Sequence, residues 1–342
     1  MIDKGRFRRS WGPRVVGGDF GKRRLPARCR TLCLLAVVML VSACPALGAE
    51  RLDFAIKIRD LVIPYPVFGV TALPGEPVEF AVQGGGEAGD YGLATSGGDV
   101  TREGKANWTW TAPEQPGWHV LRVRRKRTES VMRLNMFITR PRLETKRDGR
   151  LNGYRLGVYP VRPFRGLDAY RPPSGFIEVT RETKDVRVSP HFRLGEFVSK
   201  QWGRYPRYVA LRGRLLLYLE AIIEEARAQG MPASSMVIMS GFRTPYYNAR
   251  IGQGRHSRHQ WGDAADIYID ARPPRARMDD LNGDGRRTYA DARRLARVAA
   301  RVQGRDGPVS FVGGIGIYGS RSHRGPFVHV DTRGYRARWR YP

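Results

Sequence analysis

The stretch Ser257-Arg258-His259-Gln260-Trp261-Gly262-Asp263-Ala264-Ala265-Asp266, answered some sixty residues later by His329-Val330-Asp331, constrains the fold of this chain more than any other feature. Imidazole and carboxylate are donors that suit zinc, and three protein ligands beside one open position are what a hydrolytic zinc centre needs. A fold that uses His259, Asp266 and His329 together must bring two distant segments side by side. The seven-residue step from His259 to Asp266 is too long for one helical turn and too irregular for one strand, which predicts a turn between them. Gly262 and the small Ala264 and Ala265 give that turn room, and Ile267, Tyr268 and Ile269 read as a buried strand with Asp266 at its mouth. In an extended segment residues i and i+2 share a face, so His329 and Asp331 point together while Val328 and Val330 pack behind them. One face then carries a ligand and, in Asp331, a candidate base.

The N-terminus reads differently. Its first 31 residues hold ten Lys/Arg against two acidic residues, and an apolar run from Leu32 to Leu40 then passes into the small-residue segment Val41 to Ala49. This is the layout of an export signal with a long basic leader. Leu47-Gly48-Ala49 offers a signal-peptidase cut before Glu50, and Val41-Ser42-Ala43-Cys44 offers a lipobox that would leave a lipid on Cys44; Pro45 favours plain cleavage. The apolar stretch is short for a membrane span of about 20 residues, so membrane contact is expected only through the signal or that lipid. Cys29, Cys33 and Cys44 are the only cysteines, which leaves the exported part without disulfides or thiolate ligands. The expected location is the bacterial periplasm or cell envelope.

Removing the leader's excess of eight positive charges from the formal net charge of +28 leaves +20, a field that draws anionic partners such as the cell wall. The arginines are scattered and no nucleic-acid motif accompanies them, so nucleic acid is not an expected partner. Beyond the leader (1–49), residues 50–140 show short alternating runs at Phe54–Ile56, Val78–Val82, Trp108–Trp110 and His119–Val123 between Gly- and Pro-rich turns, which predicts a small all-β domain of immunoglobulin-like type. Residues 141–188 are rich in Arg, Pro, Tyr and Gly and read as a linker wrapped on the next domain. From 189 to 342 the pattern is α+β, with a small antiparallel sheet and flanking helices. Helix entry is expected at Ser189–Phe197, helices over Tyr208–Gln229 and Tyr289–Gln303, and strands at Val237–Met239, Gly314–Tyr318 and Phe327–Asp331. His119 and His191 carry no metal context and read as ordinary structural histidines.

Residues 189–342 resemble the zinc D-alanyl-D-alanine peptidases, the LAS-type peptidoglycan peptidases. Their S-x-H-x-x-G-x-A-x-D motif is matched by Ser257, His259, Gly262, Ala264 and Asp266, their aromatic-V-H-V-D strand by Phe327 to Asp331, and their S-G-[FY]-R-[ST] segment by Ser240-Gly241-Phe242-Arg243-Thr244. The resemblance implies a zinc on His259, Asp266 and His329, Arg243 pairing a substrate carboxylate or carbonyl, and D,D-carboxypeptidase or murein endopeptidase activity on peptidoglycan. One departure stands out: where other branches place an acidic residue or a histidine shortly before the last ligand, this chain has Pro326 and Phe327. Asp331 is the replacement, as base or as the group that orients His329, and His323 in the preceding loop is the second candidate. The same departure admits a rival, a non-catalytic peptidoglycan-binding protein that keeps the peptidase fold.

A second metal pattern lies between. Asp280, Asn282, Asp284, Thr288 and Asp291 occupy positions 1, 3, 5, 9 and 12 of a twelve-residue calcium loop, with Gly285 at position 6. The competing interpretation is a polar turn that caps the helix starting near Tyr289.

Overall fold

The short alternating runs behave as their period of two implies. Among the described residues nine strands follow one another in the first part of the chain: β1 (Phe54–Ile58), β2 (Leu61–Ile63), β3 (Val67–Ala72), β4 (Pro77–Gly84), β5 (Tyr91–Thr95), β6 (Asp99–Arg102), β7 (Asn107–Thr111), β8 (Gly117–Arg125) and β9 (Val131–Ile138). The computed structural model describes residues 51–85, 90–234, 236–271 and 276–342; the expected export leader, with Cys29, Cys33 and Cys44, lies outside them. The nine strands form an antiparallel sheet of order β2-β1-β4-β7-β6 and a sheet of order β3-β9-β8-β5, in which β3 runs parallel to β9. Phe54, Ile56 and Ile58, Val78 and Phe80, Trp108 and Trp110 turn inward from the first sheet, and Leu121, Val123, Leu134 and Met136 from the second share their core. Phe54 meets Tyr91 edge-on at 5.3 Å between the sheets.

Prolines keep the following elements short: β10 (Arg140–Pro141), β11 (Arg150–Leu151), β12 (Tyr154–Arg155), β13 (Gly175–Val179) and β14 (Arg207–Val209). Yet Leu151, Leu156, Tyr159, Tyr170 and Phe176 are buried, so the Pro/Arg/Tyr-rich stretch packs inward. Then come α1 (Gly213–Ala228), β15 (Met236–Ser240), α2 (Pro245–Arg250), β16 (Ala264–Ile269), α3 (Tyr289–Gln303), β17 (Gly314–Tyr318), β18 (Phe327–Asp331) and β19 (Ala337–Tyr341). The expected long helix starts at Gly213 instead of Tyr208, because Arg207–Val209 pair with β13 as a strand. The expected helix entry at Ser189–Phe197 is only a single 3-10 turn over Leu194–Phe197.

The last five strands form one sheet of order β15-β16-β18-β17-β19. It is antiparallel except at its edge, where β19 runs parallel to β17, a departure from the all-antiparallel expectation. Ile267, Ile315, Val328 and Val330 share the hydrophobic core with Leu295, Val298 and Ala299 of α3, which packs against β17 and β18. Alternation then leaves Asp266, His329 and Asp331 on the opposite face. All described residues belong to one compact unit of mixed α/β character, mostly sheet with three α-helices, and no described helix is long and apolar enough to cross a membrane.

Candidate metal centre

Register decides where the donors meet. Asp266 of β16 stands directly opposite His329 of β18, and Ser240 of β15 opposite Asp266 on its other side, next to an irregularity in the β15–β16 ladder. His259 arrives from a 3-10 turn over Arg258–Trp261, and the chain reverses into β16 at Gly262, whose φ is +71°. Only glycine fits there: a Cβ would stand 2.3 Å from the Ala210 carbonyl oxygen. The expected turn between His259 and Asp266 is this one.

Five further contacts hold the turn. Arg258 pairs with Asp263 across it through two N–H groups, with both side chains at most 1% exposed, and donates to the Ala169 carbonyl at 2.8 Å. The guanidinium lies 4.2 Å from the centre of the Tyr170 ring. Trp261 donates its indole N–H to the Tyr170 carbonyl at 3.0 Å, and the Tyr159 hydroxyl donates to the Gln260 carbonyl at 2.7 Å. The Pro-rich stretch thus clamps the segment that delivers His259.

The three donor atoms form a small triangle. His259 Nε2 is 3.2 Å from Asp266 Oδ1 and 3.1 Å from His329 Nδ1, and His329 Nδ1 is 2.9 Å from Asp266 Oδ1. All three side chains are buried, and they are the one group of metal-binding type gathered among the described residues. Ligands about 2.0–2.2 Å from a tetrahedral zinc lie about 3.3 Å from one another, so the triangle has nearly the right size already. Protonation makes the fit stronger. His259 Nδ1 faces the Gly241 carbonyl at 2.7 Å, an acceptor, and must carry its hydrogen there. His329 Nε2 faces the Asp331 carboxylate at 3.0 Å and carries its hydrogen there. The inward nitrogens therefore present lone pairs to each other and to Asp266 Oδ1, an arrangement that calls for a cation in the middle.

Without a metal, a proton takes that place. Burial lowers the His259 imidazole and keeps it neutral. Burial also opposes charge on His329, but its hydrogen bonds to Asp266 and Asp331 outweigh this and raise it above the ordinary histidine value. Burial would raise Asp266, yet His259, His329 and Arg243 hold its carboxyl well below the usual range. Metal must displace the His329 proton. Zinc affinity is thus expected to be constant above the raised His329 value and to weaken about tenfold per pH unit below it, measurable by competition with a chromophoric chelator. Affinity unchanged on acidification to pH 5 would contradict this ligand set.

Arg243 does not face outward as a free substrate anchor. It donates to the second oxygen of Asp266 and, through Nε, to Ser240 Oγ at 2.8 Å, which aims Oδ1 of Asp266 at the two histidines. Asp331 is fully buried on the far side of His329. Its oxygens accept from His329, from the Gly314 N–H at 2.9 Å, and from Arg333 at 2.8 and 2.5 Å. Burial would raise this carboxyl, but His329 and Arg333 hold it far below the ordinary range. Of its two expected roles the geometry provides the orienting one, since every lone pair is engaged and the ring of His329 stands between it and the donor triangle. Asp331→Asn is accordingly expected to weaken zinc binding about 10- to 100-fold and to recover most turnover at saturating zinc. Turnover that stays low with the site full would return the base role to Asp331. His323 lies exposed in the loop before β18 and touches none of the three donors among the described residues.

The calcium expectation is not supported. Asp291 is buried and accepts from the N–H groups of Leu281, Asn282 and Thr288, while Thr288 caps Ala290, a reciprocal cap at the start of α3. The Thr288–Asp291 spacing that reads as positions 9 and 12 of a calcium loop is a helix-capping box. Asp280 turns onto the N–H groups of Gly283, Asp284 and Gly285, Asn282 donates to Asp284, and Asp280, Asp284 and Asp291 do not converge. His191, expected to be structural, is held between Glu220 at 2.5 Å and Arg227 at 3.0 Å.

Several residues beside the donors have no signature in the sequence. Gly316 lies opposite both His329 and Trp339, and a Cβ on it would stand 2.2 Å from the indole nitrogen, so its absence lets Trp339 lean to within 5.1 Å of the His329 ring. One step along the same face, Phe327, Tyr318 and Tyr341 form a stacked row with ring separations of 4.4 and 5.1 Å. Trp339 donates its N–H to the Tyr318 hydroxyl at 2.8 Å, tying that row to the metal centre. A cavity of about 410 Å³ lies elsewhere, at the start of α1; its Arg59, Arg214 and Arg333 are already paired with Glu76, Asp60 and Asp331.

Comparison with known proteins adds one finding: residues 216–281 match the family model described as Peptidase M15. The match spans Arg243, His259 and Asp266 and stops short of His329, which the fold supplies from β18. It supports a metallopeptidase of the M15 kind for this part of the chain, and zinc as its metal. No curated protein matches the chain.

Proposed function

We propose that this protein is a zinc-dependent peptidase acting on peptidoglycan peptides, as a D,D-carboxypeptidase or a murein endopeptidase. The observation that carries the reading is the convergence of three buried lone pairs, on His259, Asp266 and His329, with both outer imidazole nitrogens fixed as donors. His259, Asp266 and His329 would hold a zinc ion, which would supply Lewis-acid polarisation of a scissile carbonyl and activation of water. The residues of the chain do the rest. The Gly241 carbonyl and Asp331 fix the tautomers and ring planes of the two histidines. Arg243 holds Asp266 in orientation and keeps it ionised. The Trp339 ring covers one flank of His329 with apolar surface, which limits water beside the reacting groups and strengthens charge interactions there. Export to the envelope and attraction of a basic surface to an anionic wall fit the same reading.

Purified protein incubated with sacculi, with the soluble fragments read by mass spectrometry, tests this. Zinc-dependent release of peptide fragments is expected, lost with chelator and restored by zinc. Binding to sacculi without cleavage, under conditions where a known wall peptidase is active, would establish the rival, a non-catalytic peptidoglycan-binding protein. The engagement of Asp331 with Arg333 and Gly314 is the observation that favours that rival, because it removes one candidate base.

A further inference from the structure

We infer that Arg324, mounted on the aromatic row beside the metal centre, is the group that recognises a free carboxylate next to the scissile bond of the substrate. The inference rests on the peptidase reading and assigns a specificity residue to it. Arg324 Nη1 donates to the Gly319 carbonyl at 2.7 Å, which anchors one end of the guanidinium. Its planar group lies 4.6 Å from the Phe327 ring centre and 5.7 Å from that of Tyr318. Its side-chain hydrogen bonds among the described residues both leave from Nη1, to the Gly319 and Gly325 carbonyls, so its other edge, the Nε and Nη2 fork, is unengaged there, and neither atom is a buried orphan. That edge is the one with the parallel N–H groups that match the two oxygens of a carboxylate. Arg333 uses the same edge on Asp331, and Arg243 is bound to Asp266 and Ser240. Arg324 is thus held in place with its recognition edge unspent.

Its position suits the role. Phe327 and His329 are two residues apart on one face of β18, about 6.6 Å along the strand. Adjacent residues of a peptide are about 3.8 Å apart, so a carboxylate one residue from a carbonyl at the metal centre falls within reach of a guanidinium over Phe327. Burial lowers Arg324, and Asp266 is the carboxylate whose charge acts on it, which places it within the field of the site. A pre-anchored guanidinium on a flat aromatic support loses little side-chain freedom when it binds.

The experiment compares a peptide ending in D-alanyl-D-alanine with its C-terminal carboxamide on the zinc-loaded wild type, Arg324→Ala and Arg324→Lys, by calorimetric binding and by steady-state hydrolysis. A cross-linked dimeric muropeptide forms a third arm. Wild type is expected to bind the free acid about 10- to 100-fold more tightly than the amide, Arg324→Ala to lose that preference through KM with kcat little changed, and Arg324→Lys to regain part of it. If the loss appears with the dimer instead, the carboxylate recognised is the one beside a cross-bridge. Equal weakening of acid and amide, or undiminished preference in Arg324→Ala, overturns the assignment. Zinc content, unchanged in all three proteins, guards against a collapsed site. Wild type that binds the acid preferentially yet hydrolyses nothing would reject the peptidase reading while keeping the subsite.

Discussion

His259→Ala is expected to leave the protein folded, to reduce bound zinc from about one equivalent to a small fraction, and to lower hydrolysis at least about 10³-fold. The argument is one of donor count. His259 supplies one of three lone pairs, and its removal leaves Asp266 Oδ1 and His329 Nδ1 2.9 Å apart, a pair that one proton on His329 satisfies. Two donors with a bound proton compete poorly for zinc. The loss should exceed the 10- to 100-fold effect of removing an outer partner such as Asp331, since the ligand itself is gone. Elemental analysis after gel filtration reads the first quantity and muropeptide release the second. Full zinc stoichiometry in the variant would show that another residue is the true third ligand.

Asp263→Ala is expected to have the largest effect on stability, about 3–5 kcal/mol, because it strands Arg258 in the interior with its charge uncompensated. Both side chains are at most 1% exposed, and among the described residues the guanidinium meets, beyond Asp263, the Ala169 carbonyl and the ring faces of Tyr170 and Trp261. Glu129→Ala, which removes the partner of Arg124 in a pair more than half exposed on both sides, is the control and should cost less than about 1 kcal/mol. Denaturant unfolding of the two variants measures both. Equal destabilisation would mean that the turn between His259 and Asp266 is held by backbone contacts alone. Because this turn delivers His259, Asp263→Ala should also release zinc more readily than Glu129→Ala.

The sequence made the metal half of the site legible because spacing alone carries it. A seven-residue step from His259 to Asp266 with Gly262 inside it demands a turn, and an H-V-D strand puts His329 and Asp331 on one face. Helix α3 is equally clear from its period. Thr288 and Asp291 are ambiguous, since a capping box and the end of a calcium loop share their spacing, and only the direction of the carboxylate separates them. The sequence pattern starts α1 too early because Tyr208 and Val209 fit a helical pattern locally but pair with β13 in three dimensions. Strand β19 does carry a period-two pattern, Ala337, Trp339 and Tyr341 against Arg338 and Arg340, but it is short, lies at the sheet edge and leaves its aromatic face only partly buried, so the sequence expectations do not include it. Its Trp339, the room left by Gly316 and the stance of Arg324 depend on cross-strand neighbours, which a linear reading does not contain. Asp331 is open between two roles in the sequence for the same reason, since Arg333 and Gly314, which engage its oxygens, are neighbours only in three dimensions.

The pairing of Asp266 with His329 has a further consequence. A shift of one residue in the β16–β18 ladder would send every side chain to the opposite face and scatter the donors. An ion bridging the two strands therefore checks alignment as the sheet assembles, and it closes an excursion of more than sixty residues that includes α3. Clips across long loops remove the most freedom from the unfolded chain. Metal-free protein should consequently unfold with β18 and β17 loosening first, visible as faster amide exchange in those two strands than in β1 or β4, far from the centre.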